Sequence, residues 1–172
     1  MGHPKKVIII RHAEKPGDPS VDDAVDGAGL STRGQVRAAA LSIYVPAALP
    51  RPDFLFAANV SKHSKRPIET VAPLSQLLNV PINSQYKDTD FQSLANHLLE
   101  DAKYVGNVVL ICWHHGRIPQ LTGALGAVPP SNPWPGAVFD RLWVLDYAAG
   151  ARPGEVPVED KPQKLLFGDS KT

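Results

Sequence analysis

The sequence has one cysteine and no hydrophobic run long enough to cross a membrane. Cys112 has no second cysteine with which to form an intrachain disulfide, which is typical of proteins in a reducing compartment. The longest apolar run near the amino end, residues 7–10, is too short for the core of a signal peptide. We therefore expect a cytoplasmic protein with no membrane partner.

The chain also lacks an excess of charge of either sign. Lysine and arginine number 18 and aspartate and glutamate 17, which leaves a net charge of +1. This balance gives no general attraction for nucleic acid, so any site that binds an anion must be local. The 172 residues, 43% of them hydrophobic, predict a single globular domain that spans residues 1–172.

What the sequence does contain is a short apolar strand that ends in a cation and an imidazole. Residues 7–10 read VIII, and Arg11 and His12 follow directly. Open α/β sheets place their sites at the carboxyl ends of parallel strands. A neutral imidazole nitrogen is a nucleophile toward phosphorus, and a guanidinium can hold two phosphate oxygens in a planar fork. The pair therefore predicts a site that attacks phosphate.

The rest of the chain alternates strands and helices, which predicts a parallel α/β unit. The predicted elements are a loop at 16–29, a helix from Leu30 to about Pro46, a strand at 53–58, a helix after Ser64, a helix from Asp90, a strand at 107–113, a helix stopping at Gly126, a strand at 142–147 and an edge strand at 164–167. The loop at 16–29 either closes over a substrate or is a simple connector.

A second arginine opens the helix that follows the second predicted strand. Ser64 can cap this helix, and Pro67 fits its first turn. Lys62 and its basic neighbours can be a solvated turn. The alternative is that Arg66 points at the same anion as Arg11, helped by the positive end of the helix.

The third segment with chemical potential is the histidine pair His114-His115 after the strand at 107–113. Adjacent parallel strands bring their carboxyl ends to one crevice, so one of these histidines is expected beside His12. Neighbouring residues on a strand face opposite ways, and we therefore expect only one of the two to reach the pocket. Gly116 permits a sharp turn directly after His115, which favours His115.

Three motifs in this order, VIIIRHAEKP, SKRPIETVAPL and VVLICWHHGRIP, resemble the histidine phosphatase superfamily, the phosphoglycerate mutase-like proteins. LSTRGQVRA at 30–38 is similar to a further segment of that family. The resemblance implies a three-layer α/β/α sandwich with a mostly parallel central sheet. It also implies a phosphohistidine intermediate at His12, with a phosphate pocket formed by Arg11, Arg66 and the second histidine. Residues 13–16 look more like small bacterial phosphatases than mutases.

The family pattern supports either member of the histidine pair. The order Trp-x-His-Gly resembles members in which the middle residue varies, which again selects His115 as catalytic. Counting back from Ile118 favours His114, because many members place the catalytic histidine four residues before it. We take His115 as the catalytic residue and His114 as a neighbour that contacts the substrate.

The general acid has three candidates. Many family phosphatases carry an aspartate directly after the second histidine, but this sequence has Gly116 there. The segment before the third strand offers Asp88 and Asp90, and Asp90 is more simply a helix cap, so we select Asp88. Glu14 is the third candidate; it can contact the substrate or pair with Lys15 or another cation.

The predicted function is a metal-independent phosphatase without a cofactor. Its expected substrate is a small phosphomonoester or a phosphohistidine protein, and the sequence indicates no oligomeric state. Alternatives are a phosphoglycerate mutase-type phosphotransferase and a non-catalytic member of the fold that binds a phosphoryl ligand. A zinc hydrolase using His114 and His115 lacks further ligands at metal-binding spacing.

Overall fold

The structure, a computed structural model, describes residues 2–17, 27–147, 152 and 154–172 and contains one six-stranded sheet. The strands are β1 (Lys6–Arg11), β2 (Phe54–Ala57), β3 (Ile82–Asn83), β4 (Val108–Trp113), β5 (Arg141–Asp146) and β6 (Val158–Pro162). Their order in the sheet is β3-β2-β4-β1-β5-β6. The first four in this order run parallel, whereas β5 and β6 are antiparallel to their neighbours. The prediction of a mostly parallel sheet is confirmed.

Helices cover both faces of this sheet. They are α1 (Thr32–Ala48), α2 (Arg66–Leu78), α3 (Phe91–Glu100) and α4 (Ile118–Ala124). Along β1, Val7 and Ile9 pack in the core beside α3 and α4, whereas Ile8 and Ile10 pack beside α1 and α2. This alternation follows from the two-residue period of a strand and explains why β1 is apolar on both faces. The predicted three-layer α/β/α sandwich is confirmed.

The pairing of β1 with β4 places the two predicted histidine segments side by side. These strands are parallel, and Arg11 lies opposite Trp113 at their carboxyl ends. His12 and His114 are the residues that directly follow these two strands, and they therefore lie at the same edge of the sheet. The backbone N–H of His12 donates to the Trp113 carbonyl at 3.1 Å, which extends the ladder by one residue.

The predicted edge strand at 164–167 is wrong, because the edge strand is β6. The backbone N–H groups of Leu165 and Leu166 donate to the carboxylate of Asp169, at 2.9 and 3.1 Å. Lys164 also has a φ of 55°. The segment therefore forms a local turn, and these amides do not bond to a neighbouring strand.

Smaller differences concern helix ends. Helix α1 continues through Pro46 to Ala48, because a proline so close to the carboxyl end disturbs only the last turn. Helix α2 has Lys65 as its N-cap, and the Ser64 hydroxyl accepts from the Arg66 N–H at 3.4 Å. Helix α4 ends just before Gly126, whose φ of 85° suits the predicted stop.

Two sequence-based expectations concern closure of a loop and membrane association. Residues 18–26 of the predicted 16–29 loop lie outside the described residues, so its closure over a substrate stays a prediction. Within the described ranges, no helix combines the length and the apolar character that a bilayer crossing requires.

Candidate active site

A cavity of about 390 Å³ lies at the carboxyl ends of β1 and β4. Its lining residues are Arg11, His12, Lys15, Ser61, His63, Ser64, Arg66, Asp88, His114, His115 and Gly116. A larger cavity of about 670 Å³ runs along β2 and β3, and the side chains that line it include none of the predicted site residues. The chemistry of the side chains, and not the size of the space, selects the smaller cavity as the candidate site.

His12 is buried with one ring nitrogen fixed by the backbone. His12 is 3% exposed, and its Nδ1 atom lies 2.7 Å from the Ala13 carbonyl oxygen. A carbonyl can only accept, so Nδ1 carries the hydrogen and Nε2 carries the lone pair. Burial holds the pKa of His12 well below its usual value, which keeps the ring neutral near pH 7. This is the state that a nucleophile toward phosphorus requires.

Arg11 is buried behind His12 and held by the segment before β5. Its Nη1 donates to the carbonyl oxygens of Gly136 and Val138, at 2.6 and 2.8 Å. Its guanidinium carbon lies 3.6 Å from the ring centroid of Phe139, a cation–π contact. A guanidinium has five N–H donors, so this anchoring is compatible with bonds to an anion in the cavity that Arg11 lines.

Arg66 is the first residue of α2 and lines the same cavity. Its Nη1 donates to the carbonyl oxygens of Gly27 and Ala28, at 3.1 and 3.2 Å. The start of a helix adds the positive end of the helix dipole to the charge of the side chain. Arg66 therefore lines the same cavity as Arg11. Its hydrogen bonds also connect α2 to the end of the loop that follows β1.

Thr70 connects α2 to the residue after the nucleophile. This buried hydroxyl accepts from the Ala13 N–H at 2.9 Å and donates to the Arg66 carbonyl at 2.8 Å. One side chain therefore sets the spacing between His12 and Arg66. The sequence assigns Thr70 no role.

Both histidines after β4 reach the cavity. The strand ends at Trp113, and residues 114–117 form a turn in which the His114 carbonyl accepts from the N–H groups of Arg117 and Ile118. The rule that neighbouring strand residues face opposite ways does not apply in a turn, so His114 and His115 both line the cavity. This differs from the expectation that only one of them would.

The two histidines differ in how closely they approach the nucleophile. The ring of His114 packs edge-on against His12, with centroids 5.1 Å apart at 70°. Burial, followed by the charge of Arg66, lowers the pKa of His114 to about 4. Burial and then Arg11 and Lys15 lower the pKa of His115. His114 therefore lies against the His12 ring, and His115 lines the same cavity.

Asp88 contributes the carboxyl group of the cavity. It lies in a short 3₁₀ turn, and its backbone carbonyl accepts from the Trp113 indole N–H at 3.2 Å. Its Oδ1 is buried and has no hydrogen-bond partner among the described residues. Burial raises the pKa of Asp88, although the charge of Arg117 opposes the shift. A carboxyl group whose pKa is raised keeps its proton to a higher pH, which makes it better suited to donate one.

The other two acid candidates do not line the cavity. Glu14 is 2% exposed, and its carboxylate accepts from Arg33 and Arg37, so it pairs with other cations and not with the site. Asp90 accepts from the Lys87 N–H at 3.1 Å and closes the 3₁₀ turn before α3. Of the residues predicted to form the site, the structure brings together Arg11, His12, Arg66, Asp88, His114 and His115.

Sequence reasoning missed several polar residues of the cavity wall. Ser61, His63 and Ser64 lie between β2 and α2, in a turn where the Ser61 and Ser64 backbones bond to each other. The sequence predicts a solvated turn for the basic residues around Lys62 and a helix cap for Ser64, and it assigns Ser61 no role. The available signal was their position after a parallel strand, which is also the position of Arg11 and His114.

No protein-family model matches this sequence, and no curated protein matches it significantly. Solved structures do match. The protein histidine phosphatase SixA complexed with tungstate is 18% identical, with a TM-score of 0.56 over 92% of this chain and 97% of that chain. The chain has the fold of the histidine phosphatases. The same fold is found in a mycobacterial glucosyl-3-phosphoglycerate phosphatase, 13% identical with a TM-score of 0.60 over 94% of this chain and 99% of that chain. A structure called mycobacterial hydrolase 2 gives 13% identity and a TM-score of 0.56, over 91% and 89% of the two chains.

Proposed function

We propose that this histidine phosphatase fold is an active, metal-independent phosphatase that works through a phosphohistidine at His12. The observation that carries the proposal is the hydrogen bond from Nδ1 of His12 to the Ala13 carbonyl, 2.7 Å long. It leaves the lone pair on Nε2 of a buried, neutral ring that lines a cavity with two arginines. The fold shared with the protein histidine phosphatase and the glucosyl-3-phosphoglycerate phosphatase supports the same reaction class.

In the first step Nε2 of His12 attacks the phosphorus atom. A nitrogen–phosphorus bond forms while the bond from phosphorus to the leaving group breaks. The negative charge of the transferring group lies on its three equatorial oxygens, and Arg11 and Arg66 are the cations that stabilise it. Two guanidinium groups can neutralise this charge, so the step requires no metal.

His114 is the second histidine of the pocket in this proposal. Its ring contacts His12, and the negative charge of an entering phosphate favours its protonated form. The protonated ring then donates a hydrogen bond to a phosphoryl oxygen. The sequence-based choice of His115 stays a prediction, and the two single variants described below distinguish the alternatives.

Asp88 is the general acid of the first step. Its protonated carboxyl group donates to the leaving oxygen of a phosphomonoester, whose alkoxide is otherwise a poor leaving group. In the second step the Asp88 carboxylate accepts a proton from water, which attacks the phosphorus of phosphohistidine. The nitrogen–phosphorus bond breaks, inorganic phosphate is released, and neutral His12 and protonated Asp88 are regenerated.

The substrate class we propose is a small phosphomonoester or a phosphohistidine side chain. A cavity of about 390 Å³ accommodates a phosphoryl group and a leaving group of modest size. Lys15 and His63 add polar groups to its wall, so the leaving group meets a polar surface.

The test is turnover of p-nitrophenyl phosphate and of a phosphohistidine peptide by the purified protein in excess chelator. We expect hydrolysis of at least one substrate by the wild-type chain and none by His12→Ala. The matched control is His3→Ala, because His3 stacks on Tyr147 and does not line the cavity. Hydrolysis that survives His12→Ala, or that chelator abolishes, would contradict the proposal.

A further inference from the structure

A buried ion network lies on the far side of the loop that carries His12. Nη2 of Arg37 donates to Glu14 at 2.8 Å and to Asp169 at 2.7 Å. Nε of Arg37 bonds to both carboxylate oxygens of Glu14 at 3.0 Å. The side chains of Arg37, Glu14 and Asp169 are 2%, 3% and 4% exposed. The Arg37 guanidinium therefore connects Glu14, in the loop that carries His12, to Asp169, three positions from the end of the sequence.

The carboxyl-terminal segment closes this network. Besides its contacts with Arg37, the Asp169 carboxylate accepts from the N–H groups of Leu165 and Leu166. The Gln163 side chain accepts from Nη1 of Arg37 at 2.9 Å. The segment 163–169 thus supplies two side chains, those of Gln163 and Asp169, that accept hydrogen bonds from the Arg37 guanidinium.

The backbone of Glu14 is held as tightly as its side chain. Its carbonyl accepts from the Ser31 N–H at 3.0 Å and from the Ser31 hydroxyl at 3.2 Å. A Cβ atom on Gly34 would lie 2.3 Å from the same carbonyl oxygen, so only glycine permits this approach of α1. The ion network therefore holds the side chain of Glu14, and the start of α1 holds its backbone.

The peptide unit between Ala13 and Glu14 transmits this constraint to the nucleophile. The carbonyl oxygen of Ala13 and the N–H of Glu14 belong to one planar unit. That carbonyl accepts the Nδ1 hydrogen of His12, which determines the tautomer and the direction of Nε2. Rotation of Glu14 would turn the acceptor away from His12.

From this geometry we propose that Asp169 is a positioning residue for His12, acting through Arg37, Glu14 and the Ala13–Glu14 peptide. The carboxyl-terminal segment is then part of the catalytic apparatus, although it lies outside the cavity. The role attached to His12 rests on the proposed phosphatase function, whereas the orientation of its ring does not.

The experiment compares Asp169→Asn with the wild-type chain. The amide keeps the size of the carboxylate but removes one of the two negative charges that face Arg37. Asp160→Asn is the matched control. Asp160 also lies in the last part of the chain and pairs with an arginine, Arg141, at 2.8 Å, but this pair is on the surface. Turnover is measured with p-nitrophenyl phosphate, affinity with inorganic phosphate, and the His12 tautomer from its ¹⁵N resonances.

We expect Asp169→Asn to lower kcat by about tenfold, because a displaced nucleophile loses alignment with phosphorus. KM and phosphate affinity should change by less than about twofold, since Arg11 and Arg66 still bind the anion. The ¹⁵N resonances of His12 should show that the ring is no longer held as a single tautomer. Asp160→Asn should match the wild type in all three measurements.

Two results would overturn the proposal. One is an unchanged kcat with an unchanged His12 tautomer. The other is joint loss of kcat, phosphate affinity and a dispersed spectrum, which would assign Asp169 to folding alone. The tautomer measurement requires no turnover, so it tests the positioning role even if the wild-type chain hydrolyses none of the substrates.

Discussion

The Ala13–Glu14 peptide separates two regions that are equally buried and electrostatically opposite. On one side His12 faces a cavity lined by the cations Arg11, Lys15 and Arg66. On the other side Glu14 lies in a network in which the Arg37 guanidinium bonds to two carboxylates. His12 and Glu14 are 3% and 2% exposed, so burial alone does not distinguish them.

The difference shows that the effect of burial on the pKa of a side chain depends on the groups that contact it. Burial lowers the pKa of His12, and the cations nearby reinforce the shift. Burial also acts to lower the pKa of Arg37, but the hydrogen bonds that Arg37 donates to Asp169 and Glu14 raise it overall. Arg37 therefore stays charged, and the network stabilises a charge within the protein. The cavity places the neutral imidazoles of His12 and His114 beside Arg11 and Arg66, an arrangement that suits an anionic ligand.

The largest expected effect is on stability and comes from breaking the network. Arg37→Met removes the buried guanidinium and leaves Arg33, whose side chain is 31% exposed, as the remaining cation beside Glu14 and Asp169 among the described residues. We expect the free energy of unfolding to fall by about 3–5 kcal/mol, as for other buried pairs that lose one partner. The measurement is equilibrium denaturation in urea. A loss below about 1 kcal/mol, the range of a surface pair, would show that the two regions do not differ as described.

The second effect is on proton donation in the cavity. Asp88→Asn should reduce hydrolysis of an alkyl phosphate such as glycerol phosphate by about 100-fold, because the alkoxide loses its acid. The kcat/KM for p-nitrophenyl phosphate, which reports the phosphorylation of His12 alone, should change little, since nitrophenolate leaves without a proton. Asp90→Asn, in the same turn, is the control and should affect neither substrate. An equal loss on both substrates would remove Asp88 from the role of acid.

The third effect distinguishes the two histidines after β4. His114→Ala should lower kcat by about 100-fold, the usual cost of losing one donor to the transition state. His115→Ala should lower it much less, because His114 is the ring in contact with His12. Steady-state kinetics on p-nitrophenyl phosphate gives both values. The reverse order would support the sequence-based choice of His115.

Arg66→Lys gives the smallest of the expected losses. An ammonium group keeps the charge but lacks the planar fork that binds two phosphate oxygens, so activity should fall by about tens-fold. The free energy of unfolding should stay close to that of the wild type, in contrast to Arg37→Met. Arg51→Lys is the control, because Arg51 contacts Leu78 at the opposite end of α2. Unchanged activity in Arg66→Lys would return Arg66 to a solvated turn.

The sequence predicted the cavity side of this comparison well, for a physical reason. β1 and β4 are apolar on both faces, and parallel strands of that kind must be central and must end at the same edge. Arg11, His12 and the histidine pair follow those strands directly, so their convergence required no knowledge of loops. Choosing between His114 and His115 required the end of β4 and the turn after it, which the sequence does not specify.

The network could not be predicted from the sequence. Arg37 and Asp169 are separated by 132 positions, and their contact depends on the path of the segment after β6. That path differs from the predicted edge strand at 164–167, because Asp169 binds the amides that a strand would use. Because Glu14 follows His12 so closely, the sequence suggested substrate contact or acid catalysis as well as a cation pair, and only the cation pair matches the structure. A charged residue beside a nucleophile can instead belong to the scaffold that orients it.

The most direct test of the central claim is to trap the covalent intermediate on His12. A wild-type sample mixed with substrate and quenched in base should carry one phosphoryl group on His12, identified by mass spectrometry of the peptide. The label should survive base and be lost in acid, as expected for a nitrogen–phosphorus bond, and should be absent from His12→Ala. A label on another residue, or turnover with no label at any quench time, would contradict the account.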